Sequence, residues 1–385
     1  MHFLRLYCLY MNMRHTIFTL TAMLSLTGCF TSEKETMNTT TSRQFYVGTY
    51  TSGESEGIYK YTLTANGRFE ALGLVATSNN PSYLARSADD KFLIAVNEID
   101  QHESMGSVEA YLISDDSLKL MNRHASGGAH PCFVAINDDG VVLAANYTGG
   151  NVGLLKLSKE GRLSELLDVQ QHLGKGSTER QLVPHAHSTW FRPNSSEIIS
   201  VDLGTNELWF SSLDSETEKF IPADTPTLKM EDGAGPRHLT FHPNGKWIYV
   251  VNELNSTVAL VQSDSSGHYV LGDAVSTLPA GFSEANTCAD ISISSDGKFV
   301  YASNRGHNSI AVFNVNPDDG SLTLIGNKGC GGEGPRNFTL SPDEAYILVA
   351  NQHTNNIVSL KRSETTGLLK YVSQIEAPTP VCIVF

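Results

Sequence analysis

One short phrase returns along this chain at a spacing near fifty residues, and nothing else in the sequence narrows the fold as far. The clearest copy runs Gly235-Pro-Arg-His-Leu-Thr-Phe-His-Pro-Asn-Gly-Lys-Trp-Ile-Tyr-Val-Val-Asn252-Glu253. It reads as a strand, a Pro-Asn-Gly turn, a second strand, and Asn at the strand end. Related phrases begin at Pro81, Pro131, His185, Ala289, Pro335 and Pro380. The closing residues Asn97, Asn146, Asp202, Asn252, Asn304 and Asn351 stand 47 to 56 positions apart. Strand patterning at this period predicts a β-propeller, in which each unit leaves an apolar face that its neighbours cover.

One unit shows the blade. Pro81–Arg86, Lys91–Glu98, Gly106–Ile113 and Ser117–His124 read as strands A, B, C and D. The A-to-B turns are Asp89-Asp90, Asp138-Asp139-Gly140, Pro243-Asn244-Gly245, Asp296-Gly297 and Pro342-Asp343. These residue types accept positive φ or form local side-chain bonds. The final phrase, Thr379–Phe385, supplies strand A only, and Gln44–Tyr50 with Gly57–Leu63 supply strands B and C of the same blade. The expectation is an all-β, seven-bladed propeller with four antiparallel strands per blade. It is one domain, 44–385, closed by N-terminal strands that complete the C-terminal blade. Closure leaves no apolar edge strand open.

Ahead of that domain, residues 1–28 read as a lipoprotein signal peptide. Thr16 to Leu26 is an apolar stretch of eleven, too short to span a bilayer. Leu26-Thr27-Gly28-Cys29 matches a bacterial lipobox, so lipidation is expected at Cys29. Residues 29–43 then form a lipidated Cys and a polar, Thr-rich tether. The expected location is the bacterial cell envelope, on the periplasmic or outer-membrane face, with the membrane met through that anchor. The formal charge of −14 argues against nucleic acid as a partner. It also means that an anionic ligand requires a local cationic site. No pair of the six Cys has CxxC spacing, and buried free thiols are expected.

Antiparallel connectivity puts the D-to-A and B-to-C loops on one face. The first set carries His185 to His187, Arg237-His238 and Arg336; the second carries Glu98, Tyr147, Glu253 and Arg305. A concave mouth with convergent polar groups is a small-molecule site. An Arg fork suits a carboxylate, phosphate or carbonyl oxygen, and an imidazole beside it moves a proton. Taken singly, an Arg after Pro reads as a rim salt bridge, and Glu98 reads equally as a site residue or as part of a solvated loop. His185 and His187 alternate, so one of them faces the channel.

Tyr46-Val-Gly-Thr-Tyr50, Pro184-His-Ala-His187, Gly235-Pro-Arg-His238, Val251-Asn-Glu253, Ser303-Asn-Arg-Gly-His307 and Gly334-Pro-Arg336 together carry a resemblance. Over residues 44–385 the chain resembles the seven-bladed propeller lactonase family, which includes propeller-type 6-phosphogluconolactonase and the carboxy-muconate lactonizing enzyme. The resemblance implies a catalytic set of Arg237, Glu253, Arg305 and a His of the HAH segment, with His187 ahead of His185. His185, His238, Arg336 and Glu98 are candidate substrate-binding residues. The implied activity is metal-independent hydrolysis of a sugar lactone by a monomer, with no cofactor. No recurring Glu/Asn/Asp ligand set at the blade mouths marks a metal. The alternatives are a muconate-type cycloisomerase on the same residues, or a surface-binding propeller using Tyr50, Tyr147 and Trp190.

Overall fold

The computed structural model describes residues 42–100, 105–264 and 268–385. The expected signal segment, Cys29 and nearly all of the tether lie outside them. Seven four-stranded antiparallel sheets follow one another in chain order. They are numbered here as blades 1 to 7, with blade 1 formed by residues 84–125. Within a blade, strand A lies at the axis. The inner strands contact their neighbours all the way round, so the ring is closed. Blade 7 is the composite one: Pro380–Val384 pairs with Arg43–Thr49, setting Tyr46 opposite Val384 and Gly48 opposite Cys382. The first strand thus begins at Arg43, one residue into the expected tether.

Burial follows radius. Strand B is covered on both faces by adjacent blades, so its sequence runs apolar without alternation. Phe92–Asn97, Trp247–Asn252 and Tyr346–Asn351 are buried throughout. Strand D is the rim, and Phe69–Thr77 is mostly open to solvent. The core is a set of clusters between blades. One joins Phe92, Ile94 and Val96 of blade 1 to Val134, Val142 and Ala144 of blade 2.

Turns lock blades 2, 5 and 6 to the ones before them. Gly161, Gly320 and Gly367, in C-to-D turns, sit over Phe92, Trp247 and Phe299 at the starts of preceding B strands. A Cβ at Gly161 would lie 2.0 Å from the Phe92 ring, and its φ of +79° is itself a glycine conformation.

Two expectations change. Strand A of blade 1 is only Leu84–Arg86, although Val96 N still donates to Tyr83 O at 3.1 Å. Trp190 is no rim aromatic: it lies within strand A of blade 3, its ring 4.7 Å from Phe133. Cys132, Cys288, Cys330 and Cys382 are buried free thiols.

Candidate active site

A single irregularity shapes the inner end of the strands. In blade 4, Pro236 pairs with Asn252 and His238 with Val251, which leaves Arg237 as an extra residue. That is a β-bulge, a device that re-aims a side chain. The same slip leaves Cys132 extra in blade 2, His187 in blade 3 and Arg336 in blade 6. Blades 5 and 7 carry it too, at Ala289-Asp290 and at Val381. It explains how consecutive Arg237 and His238 are both buried, with Nη1 and Nε2 3.4 Å apart.

Around these bulges opens a cavity of about 340 Å³, lined by Tyr50, Glu98, Cys132, Tyr147, Arg180, His187, Glu253, Thr287, Arg305 and Arg336. All come from D-to-A or B-to-C loops or from the strand ends beside them, on the face that antiparallel connectivity predicts. A larger cavity of about 440 Å³ lies between blades 2 and 3, and its lining includes Leu154, Leu167, Phe191 and Leu213. Its charged groups (Lys156, Asp139, Asp214 and Glu218) do not include a His or an Arg.

Glu253 is the hub. The turn after strand B fixes it, its N–H donating to Gly235 O at 2.7 Å. Gly235 has φ +63°, and a Cβ there would meet Leu254 at 2.4 Å. Glu253 Oε2 lies 3.1 Å from Arg237 Nε and 2.9 Å from Arg305 Nη2; Oε1 accepts from Arg180 Nη2 at 3.2 Å. Burial alone would raise its pKa, but the guanidiniums of Arg305, Arg237 and Arg180 outweigh it and hold the carboxyl below its usual range. Arg237 is itself braced by Ala289 O at 2.5 Å. Burial lowers its pKa to about 10, with Arg305 and Arg336 adding to the shift. At neutral pH it remains charged.

A second cluster faces the hub. Tyr50 Oη lies 2.9 and 2.8 Å from the Glu98 carboxylate oxygens. The Arg336 guanidinium stands over the Tyr50 ring at 5.2 Å, with Nη2 3.9 Å from Glu98 Oε2. His187, buried to 4 % exposure, holds Nδ1 3.6 Å from Cys132 Sγ. Burial first, then Arg237, His238 and Arg336, push its pKa well below the ordinary value, so the imidazole is neutral at pH 7. Burial likewise lowers His238 to about 4, against the pull of Asp290, whose Oδ1 is 2.8 Å from His238 Nδ1.

The expected residues therefore gather in one place, in two tiers. His187, Glu253, Arg305, Arg336 and Glu98 line the cavity. Arg237, expected at the mouth, instead stands behind Glu253, 2 % exposed. His238 lies beside Arg237, held by Asp290. His185 stacks on Tyr147 at 4.4 Å, with Nδ1 3.0 Å from Tyr147 O, and supports that ring rather than the cavity surface.

Arg180 and Thr287 were missed, and Cys132 was read only as a buried thiol. One signal was available for Arg180: the widest repeat interval, Asn146 to Asp202, contains it. Among the described residues no group of three or more His, Cys, Asp or Glu is placed to hold a metal ion.

Arg180, Arg305 and Arg336 line the cavity with Glu98 and Glu253, an excess of one positive charge at the wall of a chain of net charge −14, and Arg237 stands behind Glu253. A closed seven-bladed ring with such a mouth defines a propeller with a polar, Arg-rich cavity at its axis. The model of the family described as "Lactonase, 7-bladed beta-propeller" matches residues 44–385, and the chain belongs to that family. It is 36% identical over 346 residues to the 6-phosphogluconolactonase of Bacillus subtilis, covering 88% of this chain and 97% of the relative. It is 32% identical over 338 residues to that of Formosa agariphila, covering 86% and 95%. The solved structure of the periplasmic gluconolactonase of Pseudomonas aeruginosa superposes with a TM-score of 0.85 at 28% identity, covering 90% and 99%.

Proposed function

We propose that this protein hydrolyses an anionic sugar lactone of the 6-phosphogluconolactone kind. The observation that carries the reading is the convergence of Arg180, Arg305 and Arg336 on a cavity that also holds a neutral, buried His187. Arg305 and Arg336 face the cavity and are placed to hold anionic oxygen. His187 is the base that receives a proton from water as the water oxygen bonds to the lactone carbonyl carbon. The carbonyl oxygen becomes an oxyanion against a guanidinium, where a fixed charge in a partly dry site is most effective. Collapse breaks the ring C–O bond, and the imidazolium returns its proton to the leaving oxygen. Glu253 holds the Arg237, Arg305 and Arg180 guanidiniums in register throughout. The products are one hydroxy acid and no by-product.

The named relatives are lactonases, which favours hydrolysis over cyclisation. The surface-binding reading loses its residues, because Tyr50 and Tyr147 line the cavity and Trp190 is packed between blades. Export and anchoring through a lipidated Cys29 remain part of the proposal, as does independence from metal. A pH-stat assay with δ-gluconolactone, its 6-phosphate and muconolactone, with and without chelator, tests the reading. Turnover of the sugar lactones that survives chelation is expected. Turnover of muconolactone alone, or loss in chelator, refutes it.

A further inference from the structure

Arg180 differs in kind from the other cations of the cavity. Arg305 ends a strand, Phe299–Arg305, and Arg336 lies in another, Pro335–Leu340. Arg180 sits on the connection from blade 2 to blade 3, in a one-turn 3-10 segment, Glu179–Gln181. That connection is a strap with two buried feet. His172 is fully buried, its Nδ1 2.7 Å from Asp202 Oδ2 and its ring stacked on Trp209 at 4.3 Å. Gln181 is also fully buried, and its amide is fully used. Its Nε2 donates to Leu203 O at 2.9 Å and to Asn206 Oδ1 at 3.0 Å. Its Oε1 accepts from Thr178 N at 3.3 Å and Thr178 Oγ1 at 3.0 Å. Asn206 Oδ1 also accepts from Gly235 N at 2.8 Å, at the head of the phrase that carries Arg237.

Next to this fixed foot, the Arg180 side chain is 53% exposed at the cavity wall. Only Nη2 is engaged, at 3.1 Å from Tyr147 Oη and 3.2 Å from Glu253 Oε1. Glu253 already has Arg237 and Arg305 on its other oxygen. Glu253 therefore does not depend on Arg180 for its charge, and the rest of the fork is open to a ligand. A guanidinium fork on a rigid support matches the paired oxygens of a phosphate. A phosphate monoester carries about −1.5 to −2 near pH 7, and three guanidiniums, Arg180, Arg305 and Arg336, line the cavity that would receive it.

Resting on the lactonase reading, we propose that Arg180 reads the non-reacting phosphate of the substrate and so separates phosphorylated from unphosphorylated sugar lactones. The test has two arms. Calorimetric titration with inorganic phosphate compares the wild type with Arg180→Gln, Arg180→Lys and Gln181→Ala. Steady-state kinetics compare kcat/KM for δ-gluconolactone 6-phosphate with that for δ-gluconolactone.

Arg180→Gln is expected to weaken phosphate at least tenfold and to lower the kcat/KM ratio by a similar factor. Arg180→Lys falls between, because it keeps the charge without the fork. Gln181→Ala moves the ratio the same way with Arg180 still present. Wild-type phosphate affinity in Arg180→Gln, or an equal fall on both lactones, overturns the assignment, as does a wild type that binds no phosphate. Binding needs no turnover, so a wild type that binds phosphate through Arg180 but opens no lactone refutes the lactonase reading alone.

Discussion

Replacing Glu253 by Gln tests whether the hub works by charge. The change keeps the shape and removes the anion from among three guanidiniums at 2.9 to 3.2 Å. An amide offers one acceptor oxygen, so its NH2 must confront at least one Arg N–H. Breaking a buried pair costs roughly 3 to 5 kcal/mol. The lower end applies here, because Arg305 and Arg180 are 18% and 53% exposed and Arg237 keeps Ala289 O. With an unfolding entropy near 2.1 cal/mol/K per residue over about 340 residues, 3 kcal/mol lowers Tm by about 4 °C. The catalytic effect is larger in proportion. Loosening the guanidiniums that meet the oxyanion lowers kcat by about 10² to 10³, or roughly 3 to 4 kcal/mol. KM for an anionic lactone does not rise, since one negative charge has left the site. A pH-stat assay at pH 7 beside scanning calorimetry reads both effects. Folded Glu253→Gln with wild-type kcat, or with kcat kept and KM raised, refutes the reasoning.

Two further outcomes follow from the histidines. The His187 pKa is pushed down by burial and three cationic or imidazole neighbours, so the base form persists below pH 6.5. The acid limb of kcat/KM is therefore expected well below 6.5, and a limb at or above that value excludes His187 as the base. His238 titrates at about 4 when folded and near 6.5 when unfolded, so between those values only the unfolded chain takes up the proton. Its contribution to stability is complete above pH 6.5 and falls away as pH drops towards 4. By pH 4.5 the loss is about 2.5 kcal/mol. Urea unfolding at pH 7 and 4.5 should show His238→Asn losing about that much less than the wild type, and equal losses would sink the assignment.

The ring was legible because a propeller repeats its physics. Strand B is covered on both faces in every blade, so Phe-Leu-Ile-Ala-Val, Ile-Tyr-Val-Val and Ile-Leu-Val-Ala each read as fully buried strands. Closure was legible because Thr379–Phe385 is a strand A without its B and Gln44–Tyr50 is a B without its A, and the two pair. The face that carries the site followed from antiparallel parity alone. Depth did not follow. Arg237 was expected in the mouth because it precedes His238 at a strand start, but parity cannot foresee a bulge that buries both residues. Arg180 was invisible for a different reason. Its strap has no period, and what fixes it is a set of single hydrogen bonds from Gln181 and a buried His172.

The bulge also explains why so much chemistry fits on so regular a frame. Before the extra residue stands a Pro or Ala paired with the closing Asn or Asp: Pro131 with Asn146, Ala186 with Asp202, Pro236 with Asn252 and Pro335 with Asn351. After it the ladder resumes and packs the sheet. The extra residue belongs to neither task. It is Cys132, His187, Arg237 and Arg336 in four blades and Val381 in another, side chains with almost nothing in common. A position relieved of pairing tolerates a thiol, an imidazole, a guanidinium or an isopropyl group without disturbing its sheet. The bulges thus add His187, Cys132 and Arg336 to a cavity whose other groups, among them Glu253, Arg305 and Glu98, come from the ends of the B strands and the loops after them. The hydrogen-bonded frame around it does not have to change.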